Sequence, residues 1–189
     1  MKNYFSVNKK THKHKIIYLL PLMALLVLID NLSKYFLRKL LVISFNPFHS
    51  KTISFIPGLF KFNYVDNPGL AFSSFSHSVT IAILISVTVV LVMGIYFILT
   101  RTKFLAYPLT FIIAGGIGNL INRTWNNGKV SDFICWDFKS NIEFFNATFN
   151  IADSFISVGL VVFLILFVFH LFFWPRILLK KEKMKNESS

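Results

Sequence analysis

Two aspartates in unlike settings carry most of the chemical interest of this sequence. Asp153 lies in Phe149-Asn150-Ile151-Ala152-Asp153-Ser154, at the mouth of an apolar run that extends from Ile151 to Trp174. A carboxylate there is costly in hydrocarbon unless it meets water, a partner or a proton. Asp132 lies upstream, in Val130-Ser131-Asp132-Phe133. Brought together, two carboxylates do not both ionise readily and come to share a proton. One then takes a proton from water while the other gives one to a carbonyl under attack. That is peptide hydrolysis without a metal or a covalent intermediate, with acid–base assistance worth about 10²–10⁴-fold per group. An acid pair in a membrane chain is equally suited to a proton or ion path. On the acids alone, a small four-helix transport protein therefore stays open as the alternative.

Other chemistries lack their residues. There is no Walker-type or dinucleotide glycine loop, no nucleophile elbow and no HExxH pair. His12 and His14 fall in a basic stretch, His49 and His77 in polar segments and His170 near the end of an apolar run, none with paired-ligand spacing. Cys135 is the single cysteine, which rules out an internal disulfide and a cysteine-rich zinc cluster. No metal and no cofactor is expected.

The elements that must position the acids are membrane spans. The chain is 54% hydrophobic and only 15% charged, against about a quarter charged in soluble domains. Its apolar residues fall into blocks of spanning length, at about 16–36, 79–99, 104–121 and 151–174. Net charge is +12, but the basic residues gather at the ends of the apolar runs. That is a membrane-topology pattern rather than a nucleic-acid footprint. The first run has no small-residue cleavage signal after it and reads as a retained span.

Residues 1–15 read as a disordered basic tail, and 175–189 as a second basic tail. With the Arg101/Lys103 loop, they place both termini in the cytoplasm. Asp30 then sits about 21 Å along span one, with Lys34 one turn further on the same face. Residues 37–78 are too polar to span. Thr52–Ile56 and Phe60–Val65 alternate as short strands around Pro57-Gly58, and Asn67-Pro68-Gly69 is a turn. A small sheet on the membrane surface is expected there. Gly115-Gly116-Ile117-Gly118-Asn119 permits close helix approach at the end of span three. Residues 124–150 form a second polar segment. On this topology Asp30, Asn67, Gly115 to Arg123, Asp132 and Asp153 all map to the outer face, and their convergence there points to a site.

In order along the chain, these segments resemble the motifs of one family, the bacterial lipoprotein signal peptidases, or signal peptidase II. Asp30-Asn31-Leu32-Ser33-Lys34 is similar to the acid-to-lysine motif of its first span, and Asn67-Pro68-Gly69-Leu70-Ala71-Phe72 to its Asn-x-Gly-x-Ala-Phe turn. The run from Gly115 to Arg123 resembles its glycine-rich third-span motif. Gly128 to Phe133 and Phe149 to Ser154 resemble the two segments that bear its catalytic aspartates.

The resemblance implies an aspartyl endopeptidase of the bacterial cytoplasmic (inner) membrane. It would remove signal peptides from diacylglyceryl-modified prolipoproteins just before the lipidated cysteine. Asp132 and Asp153 would be the dyad. Asp30, Lys34, Asn67, Gly69, Asn119, Arg123 and Asn150 would line or orient the site, and Gly115 and Ala152 would keep room for the peptide. The implied architecture is all-α with four transmembrane helices and a small β-sheet cradle on the outer face. The implied partners are prolipoprotein and membrane lipid, with no nucleic acid, and the protein would be a monomer. Asn122 departs from the pattern, since the family usually has Asp before this arginine. It reads as a neutral isostere with a modest effect, and it puts the pairing of Arg123 in question. The extension before Ile16 is longer than the family needs.

Overall fold

The computed structural model describes residues 9–43, 51–69, 79–138 and 147–172. The outer parts of both tails, His49, His77, positions 70–72 of the turn motif and the end of span four lie outside the described residues.

The first helical stretch begins at α1 (Lys9–His14), widens into a π-helical segment (Lys15–Leu19), continues as α2 (Leu20–Arg38) and ends in a second π-helical segment (Lys39–Ile43). The first widening ends two residues before Pro21, whose ring crowds the carbonyl one turn back and has no N–H to give it. Residues 9–15, expected in a disordered tail, are therefore helical instead, and the helix runs past residue 36 into the stretch expected to be a polar loop.

Three further helices follow: α3 (Val79–Leu99), α4 (Lys103–Trp125) and α5 (Ile151–Phe172). With the first stretch they give, among the described residues, four helices long and apolar enough to cross a membrane.

The early start of the first helix has a local cause. The Lys15 ammonium donates to the carbonyls of Phe97, Ile98 and Thr100 at 2.5, 3.0 and 2.7 Å. These belong to the last turn of α3 and the residue after it, where carbonyls lack helical partners and a cation is favoured. The Thr11 hydroxyl donates to the Arg101 carbonyl at 3.0 Å, and His14 Nε2 meets the Tyr107 hydroxyl at 2.9 Å. The N-terminal helix is thus fastened to the α3–α4 junction.

Helix α4 is the central one. In its most apolar window 61% of residues are buried, against 11% in α3 and in α5. The glycines expected to permit close approach serve three different neighbours. A Cβ on Gly116 would strike Val90 of α3, one on Gly115 would strike the Ala152 carbonyl and Ile156 of α5, and one on Gly118 would strike the Asp30 carboxylate of α2. Leu19, Phe97, Ala106, Leu109 and Ile113 close the apolar core at the far end of the bundle from Asp30.

A four-stranded antiparallel sheet completes the fold, in the order β1 (Ile53–Ile56), β2 (Phe60–Asn67), β3 (Val130–Trp136), β4 (Thr148–Phe149). β1 and β2 fall where alternation places them. β3 and β4 lie in the second polar segment, which carries no strand signal of that kind. Rings bind the strands together, Phe60 to Trp136 at 4.6 Å and Phe55 to Phe62 at 5.1 Å between centroids.

β3 follows α4 almost at once. Asn127 and Gly128 take positive φ (51° and 81°), and the Gly128 N–H reaches back to the Arg123 carbonyl at 2.9 Å. This left-handed helix stop sends the chain directly into the strand that carries Asp132.

Candidate active site

Each candidate residue occupies a place that its own element dictates. Asn150 precedes the first residue of α5 and caps it: its Oδ1 accepts the Asp153 N–H at 3.0 Å. Asp153 returns the bond, its Oδ2 accepting the Asn150 N–H at 3.1 Å. This is the reciprocal geometry of a capping box, with Asn at the cap and Asp three residues on. The orphan N–H of Ala152, between them, is taken by Asp30 Oδ1 at 2.9 Å. The start of α5 is therefore held by two carboxylates, one from its own first turn and one from α2.

Asp132 is brought to the same point by β3. Asn150 Nδ2 donates to its Oδ1 at 2.6 Å, and Asn67 Nδ2, from the end of β2, donates to its Oδ2 at 2.9 Å. One carboxamide thus touches both aspartates, its oxygen serving the backbone of Asp153 and its nitrogen the carboxylate of Asp132. Asp132 is buried, whereas Asp153 is half-buried. Burial, and after it the charge of Asp153, push the Asp132 carboxyl up to about 7, against the pull of its bonds to Asn67 and Asn150 and of the Lys34 charge.

A second layer orients these groups. Asn119 of α4 donates through Nδ2 to Asp153 Oδ1 at 2.9 Å, and its Oδ1 accepts from Lys34 at 2.7 Å and from Asn150 Nδ2 at 3.3 Å. Lys34 in turn binds Asp30 Oδ2 at 2.8 Å, and both of these side chains are fully buried. A buried ion pair of this kind is tolerable only when its remaining donors and acceptors are met. Asn119 meets one of them and the Ala152 N–H another.

Arg123 binds the Gly69 carbonyl at 2.6 Å through one terminal nitrogen, and its Nε is buried with no partner among the described residues. The Gly69 N–H closes a turn onto Asn67 Oδ1 at 2.9 Å. Arg123 is thus tied to the Asn67 turn rather than to Asn122.

The structure therefore links Asp30, Lys34, Asn67, Gly69, Asn119, Arg123, Asp132, Asn150, Ala152 and Asp153 through one chain of hydrogen bonds. Gly115 stands apart from that chain, packed against the Ala152 backbone. Sequence reasoning missed the group behind β3, comprising Tyr64, Asp66, Asn126 and Ser131. Ser131 falls inside the Gly128 to Phe133 segment, which assigns it no role, and Tyr64, Asp66 and Asn126 belong to no motif.

Such a constellation offers two carboxylates, one of them disposed to hold a proton near neutrality. Side-chain amides hold both oxygens of Asp132 and Oδ1 of Asp153, and the Asn150 N–H holds Oδ2 of Asp153. The pair can move protons between a water and a polar bond placed beside it. Among the described residues, no group of three or more His, Cys, Asp or Glu side chains is arranged to hold a metal ion.

Known proteins share both the sequence and the fold. The signature of the family described as Signal peptidase (SPase) II matches residues 22–169. The lipoprotein signal peptidase of Caldanaerobacter subterraneus subsp. tengcongensis is 38% identical over 149 residues, covering 78% of this chain and 94% of that protein. That of Clostridium tetani is 33% identical over 144 residues, covering 75% and 86%. A solved structure described as a bacterial membrane enzyme at 2.3 Å resolution superposes with a TM-score of 0.66 at 22% identity, covering 82% of this chain and 89% of that one. A second, at 1.9 Å, superposes with a TM-score of 0.62 at 24% identity, covering 79% and 91%. These two share the fold. With the family signature spanning most of its length, the chain belongs to the signal peptidase II family.

Proposed function

We propose that the protein is an aspartyl endopeptidase that removes signal peptides from diacylglyceryl-modified prolipoproteins, cutting just before the lipidated cysteine, with Asp132 and Asp153 as its dyad. The observation that carries this reading is the double use of Asn150, which caps α5 through one atom and holds Asp132 through another. Folding the fourth span and assembling the acid pair are then a single event.

The chemistry follows from the two environments. Asp132 keeps a proton near neutral pH and Asp153, half-exposed at the start of α5, faces the water. Asp153 takes a proton from that water as its oxygen adds to the scissile carbonyl carbon, and Asp132 gives its proton to the carbonyl oxygen. The resulting tetrahedral diol collapses: Asp132 takes a proton from one diol hydroxyl as the carbonyl re-forms and the C–N bond breaks, and Asp153 passes its proton to the departing nitrogen, which becomes the free amine of the lipidated cysteine. Fixed amide donors around both acids provide pre-organised polarity at the developing charge. Arg123 and the Asn67 turn orient the peptide beside the dyad.

The same reading sets the topology. Lys10, Lys13, Lys15, Arg101 and Lys103 flank the helix ends opposite those that carry the aspartates, and this supports a cytoplasmic position for that end and for both termini. The site and the sheet then lie at the outer face of the cytoplasmic membrane, with the sheet as a cradle over a substrate confined to the bilayer plane. Membrane lipid surrounds the spans, and the working unit is a monomer.

The test is a mobility shift of a diacylglyceryl-modified precursor incubated with purified protein and with Asp132→Asn and Asp153→Asn. Cleavage by the parent and none by either variant is expected. Near-parental turnover by a variant, or Asp153-dependent ion flux in liposomes with no cleavage at all, would sink the proposal.

A further inference from the structure

The hydroxyl of Ser131, next to Asp132 in β3, is the hub of a buried cluster outside the dyad. Ser131 and Asn122 are both fully buried. Asn122 grips Ser131 at two points: its Oδ1 accepts the Ser131 N–H at 2.6 Å and its Nδ2 donates to Ser131 Oγ at 3.4 Å. Asn126 Nδ2 also donates to Ser131 Oγ, at 3.3 Å, and to Asp66 Oδ1 at 2.7 Å. The Tyr64 hydroxyl lies 2.8 Å from Ser131 Oγ and donates to Asp66 Oδ1 at 2.7 Å. Arg38 of α2 donates to Asn126 Oδ1 at 2.8 Å.

The direction of every bond in this cluster can be worked out. A carboxylate only accepts, so the one phenolic proton of Tyr64 goes to Asp66. Burial raises the Tyr64 hydroxyl to about 12, which keeps that proton in place. The Tyr64 oxygen is then an acceptor, and the one proton of Ser131 Oγ must go to it. Ser131 Oγ is left with lone pairs only toward Asn122 and Asn126, and both present N–H. The chain of donation runs from the two amides to Ser131, from Ser131 to Tyr64 and from Tyr64 to Asp66.

We infer that Asn122 is a positioning residue for Asp132, and that the donation order of the Ser131 cluster requires an amide, not a carboxylate, at position 122. A neutral isostere judged by shape alone would be interchangeable with Asp. Here an ionised carboxylate in the Asn122→Asp variant could still accept the Ser131 N–H, but its second oxygen would face lone pairs. Either that contact opens or Ser131 turns its proton away from Tyr64. In both cases the Ser131 side chain, immediately before Asp132, loses a holding bond. Arg123 directs its terminal nitrogen to the Gly69 carbonyl rather than to position 122.

The inference rests on the dyad reading, so the test separates the two. Cleavage kinetics would be measured for the parent, Asn122→Asp, Asn122→Ala, Ser131→Ala, the double variant Asn122→Asp/Ser131→Ala and Asp132→Asn, each shown to be monodisperse. The groups that could titrate around position 122 are Tyr64 and Asp66 from β2, Asp132 from β3 and, further off, Asp153 from α5 and Asp30 and Lys34 from α2. Arg38 of α2 and Arg123 of α4 are the guanidinium groups near them. Rates are therefore read as ratios to the parent at each pH.

Asn122→Asp is expected to lower kcat by about tenfold, the scale of one buried bond left unmade, with KM little changed. The ratio should recover as pH falls, because the introduced carboxyl, once protonated, regains a donor for Ser131 Oγ, whereas Asn122→Ala should not recover. In the Ser131→Ala background, which removes the oxygen in question, the Asn122→Asp penalty should largely vanish. A pH-independent penalty, or one undiminished without the Ser131 hydroxyl, would overturn the inference and leave the dyad standing. An active Asp132→Asn would instead overturn the dyad, while loss of the penalty in the Ser131→Ala background would still support the donation order.

Discussion

Asn150 and Asp153 are bound to each other twice, Oδ1 to N–H at 3.0 Å and N–H to Oδ2 at 3.1 Å, and this reciprocal cap is the hinge between fold and chemistry. The remaining amide of Asn150 is directed to Asp132 at 2.6 Å. A residue that closes a helix by one atom and seats a carboxylate by another has two functions that substitution can separate.

Asn150→Ser keeps a hydroxyl that can accept the Asp153 N–H but has no amide to reach Asp132. It should lose about 1–3 kcal/mol for the buried acceptors left unmet, and Asn150→Ala about 1 kcal/mol more with the cap. Both should cleave precursor about 10²-fold more slowly, as expected for a misplaced catalytic group. Thermal unfolding in detergent and single-turnover cleavage, run side by side, check the split. A fully active Asn150→Ser would show that Asp132 needs no such seat.

The Asp132 carboxyl, pushed up to about 7 by burial and then by the Asp153 charge, makes a signed prediction. Its folded-state value is raised, so the neutral form favours the fold. That stabilisation is complete below the ordinary carboxyl range near 3.8 and is lost as pH rises to about 7. Asp132→Asn cannot lose it. The melting temperature of Asp132→Asn relative to the parent should therefore climb between about pH 4.5 and about pH 8 and level off beyond. In the parent, kcat/KM should decline above about pH 7 as the acid is lost. A melting difference that ignores pH would contradict the environment described for Asp132.

Much of this arrangement is legible in the chain. Four apolar blocks of spanning length mark the helices, and period-two alternation marks β1 and β2. The spacing of Asp30 and Lys34 at one helical turn anticipates their ion pair. The glycines before Asn119 are legible as close-approach positions, but not their division among three helices, which depends on rotation about α4. β3 is hidden because Val130-Ser131-Asp132-Phe133 buries polar and apolar residues alike, which erases the alternation that marks a half-buried strand. The helical start at Lys9 is hidden for a related reason. Lys15 reads as a solvated charge in sequence, and only the carbonyls at the end of α3, distant in the chain, make its burial tolerable.

Lys15→Met removes the cation from those carbonyls while retaining a long apolar stem. Leaving buried carbonyls unmet should lower stability by about 1–3 kcal/mol. Amide exchange should quicken at the end of α3 and in residues 9–15, with cleavage per folded molecule unchanged. Equal exchange in variant and parent would mean that the N-terminal helix is held by its apolar face alone.

Asp30 and Lys34 form a fully buried pair at 2.8 Å whose other contacts run outward, Asp30 to the Ala152 N–H and Lys34 to Asn119. Removing one partner strands a charge away from water. Lys34→Met and Asp30→Asn should each lose about 3–5 kcal/mol. The double variant leaves no charge unpaired, and the carboxamide introduced at position 30 can still accept the Ala152 N–H, so most of that stability should return. Activity should not return with it. Without the ammonium, Asn119 Oδ1 loses its firmest donor, and the Nδ2 that steadies Asp153 is free to turn away. A double variant that recovers both stability and cleavage would reduce the pair to a packing device. One that recovers stability alone would show that the buried charge is kept in this protein to aim Asn119 at Asp153.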